Sequence, residues 1–158
     1  MQPIYFEDVV PGGHLTVGSF VVERDAMVAF ARQWDPMPIH VDEVAARRDF
    51  GGLTAPGIYI LAIKQFLIRF VPLEQTVIAS TGYDEVRFMK PVRPGDELRL
   101  RFEWVEKRVS QSKPDRGIVK CRLTLLNQKD EAVMTHLDTV LMRLRAQAAP
   151  AGLAAPAN

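Results

Sequence analysis

The second half of the chain alternates apolar and polar residues with a period of two, which is the pattern of half-buried strands. The apolar positions of the first two segments are Leu98, Leu100, Phe102, Trp104, Val119, Cys121, Leu123 and Leu125. Two further strands are predicted at 77–89 and 133–141. Turn residues separate the segments at 93–96, 113–117 and 127–130. The pattern therefore predicts consecutive antiparallel strands.

The first half changes to a helical period after one strand. Residues 15–22 are rich in β-branched and aromatic side chains and predict that strand. Apolar residues within 23–33 share one helical face, and Pro36 and Pro38 are expected to end this helix and leave a proline-stiffened loop. A short helix is predicted at 42–48.

A longer helix is predicted from Pro56 to about Phe70. Apolar residues cover most of its circumference, and proline at its start costs no hydrogen bond. A helix that is apolar nearly all round is expected to be buried. One long central helix with an antiparallel sheet around it makes an α+β fold of a single domain.

The composition narrows the class of protein. The 158 residues suffice for one domain with a core, and a net charge of +1 gives no electrostatic case for nucleic acid. A single cysteine, Cys121, excludes an internal disulfide and a cysteine-based metal cluster. The segment 57–71 is too short and too charged for a membrane span, and no signal peptide is recognisable, so we expect a cytoplasmic protein. We expect the domain to occupy 1–145, and the small, uncharged tail 146–158 to be disordered.

Three residues are candidates for chemistry. Asp35 and His40 lie five residues apart, and a histidine beside a carboxylate can exchange protons near neutral pH. Gly57 opens the apolar helix, where an unbonded N–H can stabilise a developing oxyanion. The alternatives are that Asp35 only ends a helix, that His40 is a satisfied core or surface histidine, and that Gly57 is a plain helix start.

These residues belong to a longer set of motifs. Asp-x-x-Pro-x-His at 35–40 is followed by Phe50-Gly51-Gly52, by Ala55-x-Gly57 before the apolar helix, and by the segments 83–96 and 112–119. Together they resemble the MaoC-like (R)-specific enoyl-CoA hydratase family, over roughly Tyr5 to Leu144.

The resemblance implies a hotdog fold, a homodimer with its active site near the interface, and an acyl thioester of coenzyme A or acyl carrier protein as the substrate. It implies that Asp35 and His40 activate one water for reversible addition to a trans-2-enoyl thioester. The product would be an (R)-3-hydroxyacyl thioester. Gly57 would hold the thioester oxygen, and neither a metal nor an organic cofactor would be needed.

The chain departs from the family pattern at four positions: Trp34, Met37, Pro56 and Gln65 stand where glycine, asparagine, histidine and serine are usual. Two rival functions remain open, the first because hotdog domains also host thioesterase chemistry and the second because the usual asparagine is missing at position 37. One is a hotdog thioesterase, although the apolar helix has no Asp or Glu for that chemistry. The other is a non-catalytic acyl-binding subunit. The basic runs at 47–48 and 87–93 could bind coenzyme A phosphates or simply be solvated.

Overall fold

The computed structural model describes residues 2–145. Their strands form one antiparallel sheet in the order β1-β3-β4-β5-β2. The strands are β1 His14–Val21, β2 Val77–Phe88, β3 Glu97–Val109, β4 Arg116–Leu126 and β5 Ala132–Arg143. The single domain is thus α+β, with β1 and β2 as the two edges of the sheet. The tail predicted to be disordered, 146–158, lies outside the described residues.

Four helices connect β1 to β2. They are α1 Arg24–Trp34, α2 Pro38–Val41, α3 Glu43–Phe50 and α4 Gly57–Leu67. A short 3-10 turn, Ile68–Phe70, continues α4, and another lies at Phe6–Asp8 before β1. Within residues 2–145, no helix is both long enough and apolar enough to cross a membrane.

The core lies between α4 and one face of the sheet. Ile60, Ile63 and Leu67 of α4 are buried in the same apolar cluster as the inward residues of β3, β4 and β5. The strand register places these inward residues opposite one another, as in the pairs Leu100–Leu125, Phe102–Leu123 and Trp104–Cys121. The alternation in the sequence therefore marked the buried face of the sheet.

Two features of the helices differ from the sequence prediction. Pro38 begins α2 instead of only ending α1, because proline at the first helical position loses no hydrogen bond. The helix α4 is also not enclosed all round. Ile58, Phe66 and Phe70 are 46%, 41% and 41% exposed, since the sheet covers only one side of the helix.

The edge strand β2 is irregular and open. Its pairing with β5 shifts register at three places, and Glu85 has a positive φ of 52°. Residues 79–85 of β2 are all exposed. These irregularities leave β2 and α4 poorly packed against each other, and two cavities occupy the space between them.

Candidate active site

The acid and the imidazole are positioned by the ends of two helices. Asp35 caps the C-terminus of α1, where its N–H donates to the Ala31 carbonyl at 2.8 Å. Pro38 then starts α2, whose single turn carries His40. His40 therefore lies on a helical turn, not on the loop that the sequence predicted, and the turn fixes its direction more firmly than a loop would.

Asp35 and His40 approach each other closely. The Oδ2 atom of Asp35 lies 3.6 Å from Nε2 of His40. This distance is too long for a direct hydrogen bond but lets one small polar group contact both atoms. The residue His40 is only 7% exposed, whereas the side chain of Asp35 is 35% exposed. The pair thus has one buried member and one that solvent or a ligand can reach.

The carbonyl of Thr54 determines how His40 can act. It lies 2.7 Å from Nδ1 of His40, and because a carbonyl oxygen can only accept, Nδ1 must donate. In the neutral ring Nε2 then carries a lone pair, and this atom is the one facing Asp35. The N–H of Thr54 donates to the Ile39 carbonyl at 3.2 Å, which ties the segment to α2. No residue pattern indicates this role, because it belongs to a backbone carbonyl.

Gly57 is the first residue of α4, after Pro56 at the cap. Among residues 2–145, no acceptor binds its N–H. A methyl group on Gly57 would come within 2.7 Å of the Phe88 ring, so only glycine fits here without a shift. Gly57 and Thr54 share the wall of a cavity of about 290 Å³. Asp35 and His40 are not part of this wall, and Thr54 is the residue that joins the pair to the helix start.

Arg93 holds the segment that leads to Thr54. Its guanidinium donates to the Gly52 carbonyl at 3.0 Å and also to the Phe50 carbonyl. Gly51 between them has a φ of 71°, which ends α3 in a left-handed turn. The guanidinium is thus engaged with the backbone, which counts against the phosphate-binding role considered for this residue from the sequence.

The structure gives no support for a nucleophilic role of Cys121 or for a metal site at His14 or His136. Burial raises the pKa of the Cys121 thiol, which keeps it protonated and agrees with its interpretation as a small buried hydrophobe. His14 is exposed at the start of β1, and His136 is buried in β5. In the part of the chain that the structure describes, no three His, Cys, Asp or Glu side chains gather in a way that could hold a metal ion.

Residues 9–124 match the family model of the MaoC-like domain, which covers most of the chain. The chain belongs to the MaoC-like domain family. The resemblance seen in the 35–40 and 55–57 motifs is therefore confirmed at the level of the family.

Individual relatives support the same assignment. A MaoC-like dehydratase from Rhodospirillum rubrum is 37% identical, with a TM-score of 0.85 over 91% of this chain and 99% of that one. The mesaconyl-CoA hydratase of Cereibacter sphaeroides is 36% identical over 111 residues, which are 70% of this chain but only 32% of the relative. This MaoC-like chain thus spans about a third of that hydratase.

The fold is also confirmed. A Mycobacterium tuberculosis protein described as having a double hotdog fold shares a TM-score of 0.76 with this MaoC-like chain, over 98% of it and 52% of the other protein. At 22% identity the likeness concerns the fold alone. The sheet around α4 is accordingly a hotdog fold.

The contacts of Arg93 generate a stability prediction. In Arg93→Met, we expect the free energy of unfolding to fall by about 1–3 kcal/mol, because the carbonyls of Phe50 and Gly52 lose their charged donor. Urea unfolding followed by circular dichroism measures the change.

Arg87→Met is the matched control, since within residues 2–145 this exposed side chain donates only to the neighbouring Val86 carbonyl. We expect it to change the free energy of unfolding by about 0.5 kcal/mol or less. Equal unfolding midpoints for the two variants would show that the 50–54 segment does not depend on Arg93.

Proposed function

We propose that this MaoC-like protein adds water reversibly to a trans-2-enoyl thioester and forms an (R)-3-hydroxyacyl thioester. The observation that carries the proposal is the Asp35–His40 pair, with Nε2 of His40 directed at Oδ2 of Asp35 across 3.6 Å. Family membership and the similarity to a mesaconyl-CoA hydratase and a MaoC-like dehydratase support the same reaction type.

The pair can hold one water between two acceptors. Both the Asp35 carboxylate and the bare Nε2 of His40 accept hydrogen bonds, so each takes one proton of the water. The lone pairs of the water oxygen are then free to attack the β-carbon of the substrate. Because the Nδ1–H is bound to the Thr54 carbonyl, the ring cannot turn its other nitrogen to this position without losing that bond.

The protons balance within the pair. As the water oxygen bonds to the β-carbon, one of its protons passes to His40 or Asp35, and the α-carbon receives a proton from the pair. The pair ends the cycle in its starting protonation state, so no external acid or base is consumed. Dehydration of a 3-hydroxyacyl thioester is the same sequence in reverse.

The N–H of Gly57 has the second role. As the β-carbon is attacked, negative charge develops on the thioester oxygen, which becomes enolate-like. An N–H without another acceptor, at the positive end of the α4 dipole, stabilises that charge. The cavity shared by Gly57 and Thr54 is the proposed position of the thioester, whose carrier would be coenzyme A or acyl carrier protein.

A homodimer is part of the proposal. The exposed β2 edge offers unpaired backbone groups, which favour pairing with another strand. Large apolar side chains also lie exposed near the pair and at the end of β2, namely Trp34, Met37, Phe88 and Met89. We expect sedimentation equilibrium at micromolar concentration to give twice the chain mass of 17.8 kDa. A single-chain mass would remove the dimer from the proposal.

Thioesterase activity is the rival within the same fold. Several hotdog thioesterases use a carboxylate on the central helix, and α4 has no Asp or Glu from Gly57 to Leu67. An acyl-binding subunit without catalysis is the second rival. The helix sequence counts against the first, and the directed Asp35–His40 pair counts against the second.

The decisive assay follows two signals from crotonyl-CoA and longer trans-2-enoyl-CoAs. We expect loss of the conjugated double bond without release of free thiol. In Asp35→Asn and His40→Ala, kcat/KM should fall by about 100-fold or more, because the Asn amide cannot take up a proton and Ala removes the imidazole. Circular dichroism should show an unchanged fold.

Asp115→Asn and His14→Ala are the matched controls, since both residues are exposed and distant in sequence from the 35–40 segment. They should keep full activity. Activity within a few-fold of the wild type in Asp35→Asn or His40→Ala would remove that residue from the mechanism. Thiol release with the double bond intact would favour the esterase, and neither signal would favour the acyl-binding subunit.

Gly57→Ala tests the oxyanion role. The new methyl group forces the Phe88 ring or the start of α4 to move, which displaces the N–H donor. We expect kcat to fall by about tenfold or more. Gly82→Ala is the control, because a methyl group there meets nothing within 4 Å.

In the double variant Gly57→Ala with Phe88→Ala the obstructing ring is gone, so part of the lost kcat should return. Wild-type kcat in Gly57→Ala alone would argue against the N–H as the donor to the thioester oxygen.

A further inference from the structure

A larger cavity, of about 920 Å³, lies further along the gap between α4 and β2. Phe88 of β2 lies beside Gly57, and Tyr83 lies beside Lys64, so β2 runs antiparallel to α4. The cavity continues from Lys64 to Ile68 of the following turn. Both cavities thus lie in the groove between α4 and β2, and the smaller one is where the thioester is proposed to bind.

A buried cation lies on the wall of this larger cavity. Lys64 is only 1% exposed, and its ammonium donates to the Tyr83 hydroxyl at 3.0 Å and to Oε1 of Gln65 at 3.2 Å. It also lies 4.1 Å from the centre of the Tyr83 ring. All these partners are neutral, and an ammonium has three N–H donors. Among residues 2–145, one donor of Lys64 therefore has no acceptor, and neither of its hydrogen-bond partners carries a negative charge.

Within residues 2–145, none of the charged groups that line the cavity forms a direct ion pair with Lys64. Among residues 2–145, no carboxylate lies within 4.0 Å of its ammonium. Asp138 is the buried carboxylate on the same wall, and its Oδ1 already accepts from the Ser80 hydroxyl at 2.5 Å. Glu74 and Arg69 line the exposed mouth of the cavity. A buried charge without a partner is costly, which points to an anion that arrives with the ligand.

His136, next to Tyr83, also has a hydrogen-bonding atom without a partner among the described residues. Its ring is fully buried, packs against Tyr83 at a tilt of 54° with 4.7 Å between ring centres, and has Nδ1 3.2 Å from the Leu137 carbonyl. Nε2 has no partner among the described residues. Burial foremost, and the nearby Lys64 cation, lower the pKa of His136, so the ring is neutral and supplies no competing positive charge. Among the described residues that line this cavity, Lys64 is thus the buried cation available to an anion that has passed the mouth.

We propose that this groove binds an acyl chain whose far end is a carboxylate, paired with the Lys64 ammonium and hydrogen-bonded by the Tyr83 hydroxyl. The inference rests on the proposed function, because it places the thioester end at Gly57. Gly57 and Lys64 are seven helical residues apart, or about 10 Å, which an acyl chain of about eight carbons can span. The substrate class is therefore a monothioester of a medium-length dicarboxylic acid.

Binding of unreactive thioesters tests the proposal without requiring catalysis. Isothermal titration calorimetry compares octanedioyl-CoA with octanoyl-CoA, which lacks the terminal carboxylate. We expect the wild type to bind the diacid thioester at least about tenfold more tightly. In Lys64→Met this preference should disappear while the affinity for octanoyl-CoA is retained. Lys129→Met removes an exposed cation that does not line this cavity and should keep the preference.

The stability of Lys64→Met separates a ligand role from a structural one. Methionine has a similar length and no charge to bury, so we expect an unchanged or higher thermal midpoint. Tyr83→Phe is a second variant that keeps the ring and removes the hydroxyl. It should lower the preference for the diacid by several-fold, and it tests the proposal if Lys64→Met does not fold.

Hydration assays with trans-2-octenedioyl-CoA and trans-2-octenoyl-CoA distinguish a failure of the ligand inference from a failure of the proposed function. Lys64-dependent binding of octanedioyl-CoA without hydration of either enoyl thioester would support the ligand class and overturn the proposed reaction. Equal binding of the two saturated thioesters by the wild type, or a preference that Lys64→Met and Tyr83→Phe both leave intact, would overturn the inference. Hydration of the octenoyl thioester in that case would leave the proposed function standing.

Discussion

The hydrogen bond from Nδ1 of His40 to the Thr54 carbonyl is the contact on which the site depends. It fixes the tautomer of the ring, and it ties α2 to the segment that enters α4. Arg93 holds the preceding turn at Gly52, so the chain from the end of α3 to Gly57 has a defined path. Without that path, the imidazole and the start of α4 would have no fixed relation, and the proposed chemistry requires one.

The sheet was predictable because alternation in the sequence records burial directly. In β3 and β4 the alternate apolar residues all face α4, and the pairing of Leu100 with Leu125 follows from that pattern. Asp35 and His40 could be named, because carboxylate and imidazole are recognisable residue types. Thr54 could not, since its contribution is a carbonyl that every residue has. The helical turn at Pro38 was also missed, because proline both ends and begins helices.

The apolar character of α4 was read correctly but its burial was overestimated. A single chain has one sheet, which covers one side of α4 and leaves Ile58 and Phe66 half exposed. Periodicity cannot distinguish a helix buried by its own chain from one that also contacts a ligand or a second subunit. The exposed side of α4 and the irregular β2 edge therefore border the same region, which the core of this chain leaves uncovered. Both cavities lie in that region.

Lys64 illustrates how a buried charged residue beside a cavity can determine which ligands bind there. A methionine or leucine at this position would pack against Tyr83 without the cost of a buried charge, so stability alone gives no reason for lysine. The neutral partners of the ammonium satisfy its geometry but not its charge. An apolar groove discriminates weakly between acyl chains of similar length, whereas a buried cation penalises every ligand that leaves it unpaired. In the proposed function, the start of α4 stabilises the reacting thioester, and Lys64 in its last turns selects among acyl chains.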